Sequence, residues 1–217
     1  MRRRYFIKKV ILFSLSFVIL KTKIMANSLF KPFNLVNGIF VNNYVSHKSS
    51  FKDFWRWRRE SSRPEPIVFP VVENDPEYLK SNKSEKTITW IGHSTFLLQI
   101  NGINILTDPH FTKRASPLTF MGPSRTTPPG LKIEELPFID FVLISHNHYD
   151  HLDSKTIQLL LKKQNVNQPT FFVPLKLKEI ITKLGARNVL EHEWWQMTQF
   201  KNLEIHSVPV QHWSKRT

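Results

Sequence analysis

Three histidines and an aspartate fall within six residues, His146-Asn147-His148-Tyr149-Asp150-His151, directly after the apolar run Ile139-Asp140-Phe141-Val142-Leu143-Ile144. The run is short, β-branched and aromatic, and it is bounded by Pro137 and by the polar cluster, so it reads as a buried strand. A buried strand that ends in three imidazoles and a carboxylate is not explained by packing. His146 and His148 are two residues apart, which in an extended segment sends both side chains to one side. Asp150 and His151 follow on a turn and can face a second point nearby. Neutral imidazole nitrogens and a carboxylate oxygen are the ligands that zinc, iron or manganese accept. The chain has no cysteine, so thiolate sites and disulfides are excluded and a metal must be held by His and carboxylate.

Around that loop the chain reads as a mixed α+β domain. Thr87 to Ile91 and Thr95 to Ile100 read as strands around a tight Gly92-His93-Ser94 turn, and Asn101-Gly102 is a hairpin signal that leads into Ile103 to Leu106. Residues 112–137 form a Pro-, Ser- and Thr-rich loop. After the histidine loop, Asp153 or Ser154 can cap a helix that runs to Lys163, with Ile157, Leu160 and Leu161 on one face. Phe171 to Val173 is a further strand, and Lys176 to Leu184 is a second helix stopped by Gly185. Asn188 to Leu190 and Leu203 to Val208 complete the strands.

At 217 residues, with 41% apolar residues and 17 Phe, the chain is long and apolar enough for one globular core. The net charge of +14 invites a nucleic-acid reading. Half of that excess lies in Arg2, Arg3, Arg4, Lys8, Lys9, Lys21 and Lys23, and no nucleic-acid-binding signature accompanies it, so no nucleic acid is expected. The remaining excess suits an anionic membrane surface or a phosphate-bearing substrate equally well.

Residues 1–26 read as a signal or membrane-anchor segment. Arg2-Arg3-Arg4 and Lys8-Lys9 precede an apolar run from Val10 to Leu20, and Arg3-Arg4-Tyr5-Phe6-Ile7-Lys8 resembles the twin-arginine export pattern. Export to a periplasm or attachment to a membrane is the expected localisation. Residues 27–85 form an aromatic, basic arm that carries Phe54-Trp55-Arg56-Trp57-Arg58-Arg59. That stretch suits either a membrane interface or an arm wrapped on the domain with its tryptophans buried, and the wrapped arm is the preferred reading.

From residue 86 to 217 the chain resembles the metallo-β-lactamase superfamily, and within it the N-acyl-phosphatidylethanolamine phospholipase D branch with its bacterial relatives. The resemblance rests on His146-x-His148-x-Asp150-His151 after a strand and on several stretches in order. These include Trp90-Ile91-Gly92-His93-Ser94-Thr95, Leu106-Thr107-Asp108-Pro109, Gly122-Pro123-Ser124-Arg125, Glu193-Trp194-Trp195 and Gln211-His212-Trp213-Ser214-Lys215-Arg216-Thr217. It implies an αβ/βα sandwich with a metal site at one sheet edge. His146, His148 and His212 would bind one metal, while Asp150 with His151 would begin a second site. His93 would support the site by hydrogen bonding, and Asp108 would orient a ligating histidine. His110, His192 and His206 read as structural.

The chemistry implied is metal-assisted hydrolysis, with two Zn2+ ions (or Fe or Mn) acidifying water and neutralising charge on a phosphoryl or carbonyl oxygen. Asp150 would also orient the attacking water or accept its proton. The substrate implied is a phospholipid or small-molecule phosphodiester, cut to phosphatidic acid and an N-acylethanolamine. A lactonase or sugar-phosphate hydrolase is the alternative within the superfamily. The family also carries a bridging Asp in a Gly-Asp-Thr-Gly-like turn and a late His, and no Asp-Thr-Gly stretch occurs here. The sandwich is therefore expected to be incomplete at the C-terminus, as in a truncated reading frame or fragment, and catalysis by this chain is in question. A non-catalytic metal-binding remnant is the third reading. Oligomeric state has no signature in these residues.

Overall fold

The computed structural model describes residues 34–42, 50–62, 65, 67, 69–214 and 216. The expected signal or anchor segment, residues 1–26, lies outside them. Contacts divide the chain into one unit ending at Phe51 and another running from Lys52 to Thr217. In the first unit, β1 (Leu35–Val36) and β2 (Ile39–Phe40) form an antiparallel hairpin. Its turn residues, Asn37 and Gly38, both have positive φ. That is the geometry an Asn-Gly pair adopts at least cost.

The second unit holds a central mixed sheet. Its strands are β3 (Thr87–Gly92), β4 (Thr95–Ile100), β5 (Ile103–Thr107), β6 (Phe141–Leu143), β7 (Thr170–Pro174) and β8 (Val189–His192), in that spatial order. β3, β4 and β5 pair antiparallel through tight turns, whereas β5, β6, β7 and β8 pair parallel. Parallel neighbours need long crossovers, here the 108–140 loop and the helices α3 (Ser154–Lys163) and α4 (Lys178–Lys183). The Asp153 carboxylate accepts from the Lys155 and Thr156 amides and caps α3 as its sequence position indicates. The short α2 (Pro76–Ser81) has no counterpart in the sequence reading, although Asp75 caps it and Pro76 sits at its first position.

Side-chain alternation along the strands fills two apolar layers. Leu97, Leu106, Val142, Phe171 and Val173 join Ile157, Leu160 and Leu161 of α3 and Ile181 of α4 in the larger core. Ile103, Ile105, Phe141 and Phe172 face the opposite side. A second hairpin, β9 (Met197–Phe200) with β10 (Leu203–His206), contributes Phe200, Leu203 and Ile205 to that side. Of this hairpin only the second strand is legible beforehand, because β9 (Met-Thr-Gln-Phe) carries one strongly apolar inward residue, Phe200. Lys201 in its turn forms an ion pair with Asp140, at the start of β6.

Helix α1 (Phe51–Glu60) overturns the expected burial of the arm's tryptophans, since none of its residues is buried, whereas Leu79 further along the arm enters the larger core. Trp55 and Trp57 are 54% and 63% exposed. The cause is the helical spacing. Arg58 projects into the sector occupied by Phe51, Phe54 and Trp55, so burying those rings would also desolvate a guanidinium.

Candidate metal centre

The parallel register of β5 and β6 places Thr107 beside Leu143. The residues that leave these two strands at their carboxyl ends, Asp108 and Ser145-His146, are therefore neighbours. Asp108 sits at φ 36°, outside the usual regions. It is held there by its carbonyl, which accepts from Thr95 Oγ1 at 2.7 Å, and by its amide, which donates to Leu143 O at 2.8 Å. Its carboxylate accepts from the Ser145 amide at 2.7 Å, the Ser145 hydroxyl at 2.6 Å and His151 Nδ1 at 2.9 Å. Ser145 Oγ spends its one proton on Asp108, so toward His146 Nδ1, 2.9 Å away, it can only accept. Both imidazoles thus carry their protons on Nδ1 and turn Nε2 lone pairs outward.

Those lone pairs converge on two points. His146 Nε2 lies 3.0 Å from His148 Nδ1, and His148 Nδ1 lies 3.3 Å from His212 Nε2. Beside this trio, His93 Nε2 stands 3.1 Å from Asp150 Oδ2 and 3.2 Å from His151 Nε2. Within each set the donor atoms are all within 4.8 Å of one another. The sets adjoin, with the His146 and His151 ring centres 4.0 Å apart. His146, His148, Asp150, His151 and His212 are thus brought together, and Asp108 is placed against His151. His93, expected to hydrogen-bond to the site, stands at φ 51° in the β3–β4 turn with its ring within hydrogen-bond distance of Asp150 and His151.

The electrostatics favour a cation at both points. Burial, then the neighbouring His151, His148 and His212, pushes His146 down to about 4. His148 is lowered by burial and by His212. Burial would raise Asp150, but a hydrogen bond from its own backbone amide and the charges of His151, His93 and His148 hold its carboxyl below the usual range. Burial also depresses His151, yet the hydrogen bond and charge of Asp108 outweigh it and the net shift is upward. Burial and mutual repulsion thus favour the neutral form of His146 and His148, and a single proton cannot satisfy three converging ring nitrogens, whereas a divalent cation can. The donor set therefore fits a metal at the trio, and a mixed His/carboxylate site at the second set.

The other histidines among the described residues sit apart from these donors. His192 is buried and bonds Thr198 Oγ1 at 2.9 Å, and exposed His206 pairs with Glu204. His110 is buried against Arg125, whose Nη2 contacts the His110 carbonyl and its Nδ1. Two arginines escape the sequence reading. Arg125 stands half-buried in a cavity of about 700 Å3 that reaches His93 and Asp150. Arg216 grips the histidine loop. Each lies inside a stretch that carries the family resemblance, but nothing in composition separates them from surface cations.

A profile of the beta-lactamase superfamily domain matches residues 103–217. An uncharacterized protein of Mycobacterium tuberculosis is 37% identical over 161 residues, which are 73% of this chain and 42% of the relative. An N-acyl-phosphatidylethanolamine-hydrolyzing phospholipase D of Caenorhabditis elegans is 38% identical over 138 residues, 59% of this chain and 38% of the relative. The chain thus spans less than half the length of these curated relatives. Among solved structures, the metallo hydrolase Igni18 of Ignicoccus hospitalis aligns with a TM-score of 0.43 and 21% identity, over 58% of this chain and 49% of its own.

Proposed function

The chain belongs to the beta-lactamase superfamily, and from that premise we propose that it is a metal-dependent hydrolase acting on the phosphodiester of an N-acyl-phosphatidylethanolamine-type lipid. The observation that carries this reading is the cavity beside the second donor set. His93 and Asp150 stand at one end of it, Arg125 lies in its wall, and Phe69, Val72, Ile88 and Trp90 give it an apolar side. An anion with an apolar arm matches that distribution. Arg125 makes no ion pair with a carboxylate among the described residues, and its buried Nε has no hydrogen-bond partner. A half-buried guanidinium of this kind is suited to a phosphate.

His146, His148 and His212 would hold one cation, with Asp150, His151 and His93 around the other. Bound cations supply acidified water and offset charge growing on a phosphoryl oxygen. Asp150, ionised at neutral pH, orients water and accepts its proton. Arg125 holds the substrate anion, while Phe69 and Trp90, packed edge to face at 6.1 Å, limit water on the apolar side. The exposed tryptophans and the cations Lys52, Arg56, Arg58 and Arg59 of α1 support a lipid headgroup layer as the place of action.

The test is turnover by Zn2+-, Mn2+- and Fe2+-loaded protein on N-acyl-phosphatidylethanolamine vesicles and on an acyl lactone. Release of phosphatidic acid, lost on Arg125→Gln, supports the proposal. Lactone opening with no phosphodiester cleavage moves the protein to the lactonase reading. Tight metal binding with turnover of neither substrate marks a non-catalytic metal-binding protein.

A further inference from the structure

His212 reaches the histidine trio from a segment with no regular structure: after β10 ends at His206, residues 207–214 belong to no helix or strand. The last backbone bonds behind it join Ser207 to Trp195 and Gln196. Beyond them, His212 and Trp213 touch the loop through ring contacts, with His212 4.7 Å from His146 and Trp213 5.0 Å from His148. The hydrogen bonds that fix this segment come four residues after His212. Arg216 Nη1 donates to the Asn147 carbonyl at 3.1 Å and to the Leu152 carbonyl at 2.7 Å. Nη2 donates to Ser154 Oγ at 2.8 Å, and the guanidinium carbon lies 4.2 Å from the centre of the Tyr149 ring.

The two carbonyls bracket the loop. Between Asn147 and Leu152 lie His148, Asp150 and His151, so the span that Arg216 fixes contains every loop donor except His146. Within the span, the Leu152 and His151 amides bond back to the His148 carbonyl. Those bonds curl the loop but do not attach it to the later segment. Arg216 does, because one planar group holds both ends of the loop, the first residue of α3 and the chain that carries His212. A lysine cannot reproduce this, since its three donors radiate from a single atom.

We propose that Arg216 is a positioning residue that locks the loop donors and His212 into one frame, so that cation affinity at the trio depends on a side chain that touches no cation. The proposal rests on reading the trio as a metal centre. Outer partners of metal ligands commonly change affinity by about 10- to 100-fold, and that is the range expected here.

The experiment compares wild-type protein with Arg216→Lys and Arg216→Met. Metal-free samples are followed by amide hydrogen exchange and thermal unfolding, and Co2+ affinity is measured by chelator competition. Residues 147–152 should exchange at least tenfold faster in both variants while β5 and β7 keep wild-type protection. Co2+ affinity should fall about tenfold in Arg216→Lys and further in Arg216→Met, with Arg216→Lys melting within a few degrees of wild type. Wild-type loop exchange and Co2+ affinity in both variants would overturn the proposal, as would losses that only track a collapse in melting temperature. Wild-type protein that binds no Co2+ sinks the metal-centre reading instead, and loop exchange in the metal-free variants still decides whether Arg216 holds the frame.

Discussion

His151 Nδ1 donates to the Asp108 carboxylate at 2.9 Å, joining residues 43 positions apart in the chain. The contact follows from strand order, because β5 and β6 are parallel neighbours whose carboxyl ends must lie side by side. In open sheets that edge is where loops converge and ligands bind. Asp108 stands in a left-handed conformation that aspartate and asparagine tolerate better than most residues. Sparsely populated backbone held by surrounding hydrogen bonds is frequent at functional sites.

Asp108→Asn should therefore keep the backbone and disable the tautomer. The new amide nitrogen would face His151 Nδ1, which must then accept, and the imidazole proton would move to Nε2, the atom turned toward Asp150 and His93. We expect Co2+ affinity at the second set to fall by about 10- to 100-fold, and affinity at the trio to weaken as well, because Ser145 Oγ loses the acceptor that fixes the His146 tautomer. A titration that resolves two Co2+ sites by their visible spectra checks this, and two wild-type affinities would refute it.

Gly92→Ala is a test of the cavity wall. Gly92 has φ +142°, and a Cβ built there collides with Arg125 Nη1. Backbone strain of this kind costs about 1–3 kcal/mol, and the guanidinium must also leave its place against His110. The expected result is a melting temperature lower by several degrees together with weaker binding of dodecyl phosphate, measured by calorimetry. Arg125→Gln should reproduce the second effect with a smaller fall in melting temperature, since it loses the His110 contacts but carries no backbone strain.

These two sites differ in how far they were legible. The histidine loop announces itself because chemistry-bearing residues cluster in sequence directly after an apolar run, and local periodicity places β3 to β8, α3 and α4 close to their observed bounds. Asp108, His93 and His212 were singled out as well, but their geometry depends on strand order, which local patterns do not encode. His93 shows the limit. A Gly-His-Ser turn gives no hint of a positive φ that sends the ring among the donors. Arg125 and Arg216 were hidden for another reason: an arginine's role is set by where its long side chain ends, and neighbours in sequence do not specify that. Helix α1 is the converse case, since its aromatic residues suggest burial while Arg58, placed among them by the helical spacing, opposes it.

Phe200→Ala should loosen the β9–β10 hairpin. Its ring packs 5.0 Å from Phe141 and 5.6 Å from Phe172, edge to face in both cases. Loss of a buried Phe costs about 3–5 kcal/mol, and Phe200 is only partly covered, so about 2–3 kcal/mol is expected from the same scale. Hydrogen exchange should show amides 197–206 losing protection before the central sheet. Because this hairpin leads into the segment that bears His212, Co2+ affinity at the trio should fall in the same variant.

The buried amide of Gln99 offers a position where one substitution should make stability depend on pH. Its Nε2 donates to Leu79 O at 2.7 Å and Asn104 Oδ1 at 2.8 Å, and its Oε1 accepts from Asn82 Nδ2 at 3.0 Å and Thr87 Oγ1 at 2.9 Å. In Gln99→Glu an ionised carboxylate would face two acceptors in a desolvated site, whereas the protonated acid can still donate to one of them. The folded-state pKa must therefore rise above the unfolded value of about 4.3. A raised carboxyl pKa leaves the fold least perturbed below the unfolded value and removes stability as pH climbs through the folded one. Urea unfolding of the variant and of wild type at pH 4 and at pH 8 should give a difference that grows by about 2–4 kcal/mol toward pH 8, the scale of leaving a buried charge and its partners unsatisfied. A difference that is constant with pH would show that the Gln99 pocket admits enough water to solvate a carboxylate.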